Sequence, residues 1–263
     1  MLIRHVLSGT PRAEEPRIGL IVPATDQVSE VALGEMLAGH PVSFVTSRVA
    51  FENPVTMTNL ARMVDDLTRA TALLLPGGRI DVVAFSCTSG TVAAGVEAVA
   101  RSIRAARPGI PFTTPITAAV TAFETLGVRR LSVLTPYVDE VNAPIAAFLA
   151  AAGLEVVAFG SFHLRTEPEI AAVPVEAIVA AGRALDTPAS EALFVSCTGL
   201  RGHAAVAALE AALGKPVVTS NQAQLWEALV RIGYRSSLPG YGRLLAWPAP
   251  ASPPSPVEAV SWR

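Results

Sequence analysis

Cysteine is scarce in this chain: there are two in 263 residues, Cys87 and Cys197. Far apart, with no C-x-x-C pair, they read neither as a disulfide framework nor as a zinc site. The four histidines, His5, His40, His163 and His203, show no ligand spacing either, so no metal is expected. No uninterrupted apolar run reaches the ~18 residues of a membrane span, and no membrane partner is expected. Residues 1–7 lack the apolar core and cleavage site of a secretory leader. The expected compartment is therefore the cytoplasm, where thiols stay reduced. Neither sign of charge dominates: 20 Lys and Arg stand against 22 Asp and Glu, for a net charge of −2 and a pI near 6.1. No basic field is present to hold nucleic acid. Aromatic residues make up only 6% of the chain, so a core drawn from its 51% hydrophobic residues is built of Ala, Val and Leu.

What the chain has is an ordered alternation of short apolar runs and amphipathic stretches. Strands are read at 17–23, 42–49, 82–86 and 111–114. Helices are read at 29–37, 59–75, 91–106 and 116–126. The pattern then starts again, with strands at 130–136, 154–159, 192–196 and 216–219, and helices at 142–152, 175–185, 204–213 and 222–232. Strand-Pro, strand-Ser-Cys-Thr, Gly-x-Pro-strand and a helix closed by Gly each occur twice in order, an internal duplication. Strands alternating with helices imply parallel sheets. The expected architecture is therefore two similar α/β lobes related by a pseudo-twofold, with the active site in the cleft between them. The lobes are taken as 17–118 plus 220–247 and as 119–219. Residues 1–16 read as a flexible arm and 248–263 as a Pro-rich tail.

Both cysteines fall in Ser-Cys-Thr at the end of an apolar strand, Ser86-Cys87-Thr88 and Ser196-Cys197-Thr198. Ligands of open parallel sheets bind beyond the carboxyl ends of the strands. Each cysteine is followed by residues able to cap a helix, and a helix N-terminus favours a thiolate and attracts a carboxylate. The alternative is plain packing, since cysteine is among the most buried residue types. The matched context at equivalent repeat positions favours chemistry: two thiols face to face can take a proton from one side of a carbon and return one on the other.

The motifs Gly19-Leu20-Ile21-Val22-Pro23, Ser86-Cys87-Thr88-Ser89-Gly90, Thr135-Pro136-Tyr137 with Asn142, and Ser196-Cys197-Thr198-Gly199 resemble the aspartate/glutamate racemase superfamily, within it the maleate isomerase and arylmalonate decarboxylase branch. The likeness covers residues 17–245 and is close to a subgroup associated with ectoine utilisation. It implies a cofactor-free site acting on a small carboxylate in a homodimer or homotetramer, with the last helix crossing back to the first lobe. In maleate isomerases the first cysteine attacks the alkene and the second delivers a proton; in the racemases one thiolate abstracts the Cα proton while the opposed thiol supplies another. By resemblance, Cys87 is the nucleophile or base and Cys197 the opposing acid. Thr88 and Ser89 would hold one carboxylate, with Tyr137, Thr198 and Gly199 helping on the other side. Arylmalonate decarboxylases typically keep only the second cysteine, so retention of both favours isomerase or racemase.

Two positions depart from the maleate isomerase pattern. Asp26 stands where an asparagine commonly follows the first strand's proline. Thr166-Glu167-Pro168-Glu169 stands where a second asparagine is expected. A carboxylate beside a dianion is repulsive, which argues against maleate itself. Asp26 reads either as a substrate-binding group or as a cap of the next helix, and Glu167 and Glu169 read as surface. His203 reads as solvated or capping, Trp226, Trp247 and Tyr241 as packing or subunit contacts, and Pro76-Gly77-Gly78-Arg79 as a turn. Two rivals stay open: a decarboxylase using Cys197 alone, and a two-lobed small-molecule binding protein without catalysis.

Overall fold

The computed structural model describes residues 15–246; the tail, Trp247 and all of the arm before Glu15 lie outside the described residues. Two four-stranded parallel sheets form, and their strand orders are the same. The first runs β2 (Ser43–Val49), β1 (Arg17–Pro23), β3 (Val82–Phe85), β4 (Phe112–Thr113). The second runs β6 (Glu155–Leu164), β5 (Arg130–Tyr137), β7 (Ala192–Val195), β8 (Val217–Thr219). The duplication seen in the motifs is thus a duplication of topology. Strands β3 and β7 lie between two neighbours, and all four residues of each are buried. That environment explains why VVAF and ALFV are continuous apolar runs rather than alternating ones. Each fully buried Val, Leu or Phe there contributes roughly 1.5–3 kcal/mol.

The helices are α1 (Ser29–Met36), α2 (Met57–Ala72), α3 (Thr88–Ala94), α4 (Val96–Ala106) and α5 (Pro115–Leu126) in the first half. In the second they are α6 (Asp139–Ala151), α7 (Glu167–Ala171), α8 (Val175–Ala184), α9 (Gly202–Leu213), α10 (Ser220–Arg231) and α11 (Gly242–Ala246). The single helix expected over 91–106 is two. Gly95, at φ 84°, ends α3 and starts α4, a conformation in which a side chain would be strained. Helix α6 begins at Asp139 rather than Asn142, because the Asn142 side chain is drawn back to β5: it accepts from Thr135 Oγ1 at 2.6 Å and donates to the Tyr137 carbonyl at 2.8 Å. Strand β6 runs five residues beyond its expected end.

Helix α10 is buried along its whole length up to Val230. It starts at β8 with a Thr219/Gln222 capping box, then packs on α5 and reaches β3, β4 and α1 of the first half. Its sequence SNQAQLWEALVR is polar for a helix without an exposed face. The polar residues are explained by their partners: Gln222 donates to the Tyr241 carbonyl, Gln224 to that of Thr113, and Glu227 accepts from Thr113 and Arg231. Trp226, 4% exposed, is packing. Among the described residues, no helix is long and apolar enough to cross a membrane.

Candidate active site

Cys87 is the residue between β3 and α3 and serves as the N-cap of that helix, its thiol accepting from the Gly90 N–H at 3.3 Å. Gly90 has to be glycine: a Cβ there would lie 2.3 Å from Met63 Cε and 2.8 Å from the thiol itself. Cys197 sits at the matching end of β7, where its thiol accepts from the Gly199 N–H at 3.2 Å. A turn follows, and α9 starts at Gly202, two residues before its expected start at Ala204.

The remaining expected residues converge on this place. Tyr137, at the end of β5 and 2% exposed, lies near Cys197, whose thiolate it favours, and receives a bond from Ser89 Oγ at 3.3 Å. Ser89 Oγ is in turn 3.9 Å from the Cys87 sulfur. Ser89 and Tyr137 thus stand between the two thiols. The hydroxyls of Thr88 and Thr198 are turned to other tasks. Thr88 Oγ1 donates to Ser220 Oγ at 2.8 Å, Thr198 Oγ1 to the Ser86 carbonyl at 3.2 Å, and Asn221 Nδ2 to the Thr198 carbonyl at 2.9 Å. The first two residues of α10 therefore tie down both cysteine loops. Gly90 N–H is taken by the Cys87 sulfur and Thr91 N–H by the Cys87 carbonyl. The N–H groups of Thr88 and Ser89 have no helical partner, as at any helix start.

Asp26 does cap α1: Oδ1 accepts from the N–H groups of Val28 (3.0 Å) and Ser29 (2.8 Å), and Oδ2 from Ser29 Oγ (2.7 Å). Burial still raises its pKa, against those hydrogen bonds and the Arg48 charge. Ser29 Oγ accepts from Ser86 Oγ at 3.1 Å, so Asp26 connects to the Cys87 strand through two hydroxyls.

Sequence reasoning missed Glu167. Its partner in the pair, Glu169, is indeed at the surface, completing a capping box with Thr166. Glu167, one turn position earlier, points inward. Its Oε2 lies 3.0 Å from the point where a Cβ on Gly199 would stand, and the Cys197 sulfur lies 3.4 Å from that same point. Burial, then the charge of Asp26, pushes its carboxyl up to about 7. The available signal was the T-E-P-E string: read as Thr cap and Glu three residues on, it starts a helix at Glu167 rather than leaving it in a loop. The segment is held from the first half, as Glu167 N–H donates to Asn53 Oδ1 at 2.9 Å and Val55 N–H to the Arg165 carbonyl at 2.8 Å.

The helix N-terminus does not make these thiols acidic, contrary to expectation. The cysteines are 6% and 3% exposed. Burial first, and the Glu167 charge second, push Cys87 up to about 12 and Cys197 well above the ordinary thiol range. The bonds from Gly90 and Ser89 to Cys87, and from Tyr137 and Gly199 to Cys197, work the other way and lose. Tyr137 is raised as well, by burial before the two thiols' charges. At rest the pair holds its protons, and whatever thiolate forms there is strongly basic. His203, expected at the surface, is 3% exposed, and its Nε2 meets Glu35 Oε2 at 2.9 Å, linking α9 to α1. No group of His, Cys, Asp and Glu suited to a metal ion occurs among the described residues.

Two like sheets, each with a cysteine just past the end of a central strand, define a class: an α/β protein of duplicated topology with one cysteine in each half. The sequence profile of the arylmalonate decarboxylase family matches residues 18–245, and the chain belongs to that family. Arylmalonate decarboxylase of Bordetella bronchiseptica is 39% identical over 140 residues, 52% of this chain and 58% of that protein. A liganded mutant of arylmalonate decarboxylase superposes with a TM-score of 0.79 at 32% identity, covering 88% of this chain and 98% of the other. Maleate isomerase of Nocardia farcinica is 26% identical over 240 residues, 87% of this chain and 95% of that protein. A cysteine mutant of the Nocardia isomerase, solved with a covalently bound succinylcysteine intermediate, has a TM-score of 0.81 at 24% identity over 88% and 98% of the two chains.

Proposed function

We propose that this protein is a cofactor-independent isomerase or racemase of a small carboxylate, with Cys87 and Cys197 as its opposed reacting groups. The observation that carries the reading is the pair of thiols at equivalent strand ends, both nearly dry, with the bonded Ser89 and Tyr137 hydroxyls between them. One substrate carboxylate binds the N–H groups of Thr88 and Ser89 and the Ser89 hydroxyl. Tyr137 and the backbone of Thr198 and Gly199 bear on the other side. Asp26 shapes the wall through α1. Charge that develops on the carboxylate as a bond to the adjacent carbon breaks is met by donors already in place. Cys87, in thiolate form, takes a proton from that carbon or adds to it, and Cys197 delivers its proton from the opposite face. The isomerase form is supported by the succinylcysteine intermediate of the Nocardia protein, in which a thiol is the nucleophile. The ectoine-type acids suggested by resemblance belong to the same substrate class, and the assembly is taken to be a homodimer or homotetramer in the cytoplasm.

A decarboxylase working through Cys197 alone is the second reading, favoured by the 39% identity to the Bordetella enzyme. Proton NMR in D2O decides between them with a panel of maleate, aspartate, glutamate, hydantoins, aryl malonates, and ectoine with its hydrolysis products. Deuterium at a carbon next to a carboxylate, or fumarate from maleate, supports the first reading. Cys87→Ser and Cys197→Ser should each remove that activity. Full turnover by both single variants would sink it, and carbon dioxide release surviving Cys87→Ser would establish the decarboxylase.

A further inference from the structure

We propose that Glu167 is the subsite for a protonated nitrogen of the substrate, so that the molecule taken is a small monocarboxylate bearing an ammonium or amidinium group rather than a dicarboxylate. This rests on the function proposed above and names the substrate class for it. Three observations carry it. First, the Glu167 carboxylate is half-buried and turned toward Gly199, its Oε2 3.0 Å from where a Cβ there would stand, yet among the described residues no arginine, lysine or histidine pairs with it and no donor bonds it. A half-buried carboxylate with empty acceptor positions is a ready partner for a cationic donor. Second, the other acid of the site is already satisfied: Asp26 accepts from two N–H groups and one hydroxyl, leaving Glu167 as the carboxylate with capacity for a new donor. Third, the site has two ends of opposite character. After Cys87 the N–H groups of Thr88 and Ser89 are left as donors, whereas Glu167 offers only acceptors. A zwitterion matches both ends at once. The second carboxylate of maleate or a malonate would meet Glu167 with no cation between them.

The match has a chemical consequence. After burial, the Glu167 charge is the largest influence holding both thiols protonated. A substrate cation seated on Glu167 cancels that charge, and both thiols move toward thiolate only when the proper ligand is bound. The empty site stays inert.

The test is isothermal titration at pH 8 on the full-length protein and on Glu167→Gln, with alanine, proline and ectoine as cationic carboxylates, lactate as the neutral analogue and maleate as the dianion. The wild-type protein should bind at least one cationic carboxylate about tenfold or more tighter than lactate and maleate. Glu167→Gln should abolish that preference and strengthen maleate binding. In the ligand-free protein the same variant should speed iodoacetamide alkylation of both cysteines severalfold, a readout that needs no substrate. The proposal fails if no cationic probe binds at millimolar concentration, if lactate or maleate is preferred, or if Glu167→Gln leaves the ratio unchanged. Deuterium exchange read on the same samples separates the two claims: preference without exchange sinks the enzyme reading alone, and exchange without preference sinks the subsite alone.

Discussion

The two cysteine loops share a motif and differ in what holds them. Cys87 is fixed by its own backbone: it caps α3 directly, and Gly90 closes the first turn against its sulfur with Met63 pressed behind. Cys197 has no helix until Gly202; its thiol also accepts from its own loop, the Gly199 N–H, and the loop is held from outside by Asn221 of α10 on the Thr198 carbonyl. A repeated Ser-Cys-Thr therefore does not mean two equivalent thiols. The first caps a helix directly, whereas the second sits in a turn tied to α10 and near Glu167.

The sharpest way to break this comparison is to add one methyl group to each loop. Gly90→Ala meets Met63 and the thiol in a packed core, and should cost about 1–3 kcal/mol in urea unfolding, with activity down about a hundredfold. Gly199→Ala meets Glu167 Oε2 at 3.0 Å and the buried Ile170 Cγ2 at 3.1 Å, looser contacts than those at Gly90, so its stability loss should be the smaller of the two, about 1 kcal/mol. Equal losses at both positions would mean that the loops are held alike.

Glu167 supplies a pH signature. Its carboxyl is at about 7 in the folded chain, against an ordinary value of 4.5. Between those values the folded state holds a proton that the unfolded state has released, so stability falls as pH rises from 4.5 to 7 and levels off beyond. The full effect is at most about 3 kcal/mol. Melting curves of wild type and Glu167→Gln should diverge across that window, the variant being the more stable at pH 8; parallel curves would place the Glu167 carboxyl in water. Tyr137→Phe should then separate the thiols. Losing the hydroxyl that favours the Cys197 thiolate, it should slow alkylation of Cys197 by about tenfold at high pH and change Cys87 much less, as mass spectrometry of each site would report. The smallest effects belong to the residues that tie the two loops together. Ser220→Ala and Asn221→Ala should each cost about 1 kcal/mol of stability, the first through Thr88 and the second through Thr198. A double variant costing only as much as one would show the two bonds acting as a unit.

Much of this was legible in the residues because its causes are local or periodic. Strand β1 falls where its apolar run and terminal proline put it, and β3 and β7 follow from continuous apolar tetrads. The matched order of motifs foretold two sheets of one topology, and the glycines after α5 and α9 mark their ends. The break at Gly95 was harder, since an isolated glycine in a helical pattern signals a turn only when the chain must change direction there. Glu167 could not be told from Glu169 by composition. Which of the two faces inward depends on where α7 starts and on Asn53, more than a hundred positions away.

The sequence by itself determined the class of the fold, the duplication and the two thiols at strand ends, because hydrophobic periodicity and turn chemistry act over a few residues. Tertiary structure alone decided that these thiols are neutral rather than acidic, that Thr88 and Thr198 spend their hydroxyls on α10 and on Ser86, and that an unpaired carboxylate faces the pair. Those outcomes depend on burial and on charges brought together from distant segments, and desolvation is a property of the folded interior that no short stretch of sequence carries.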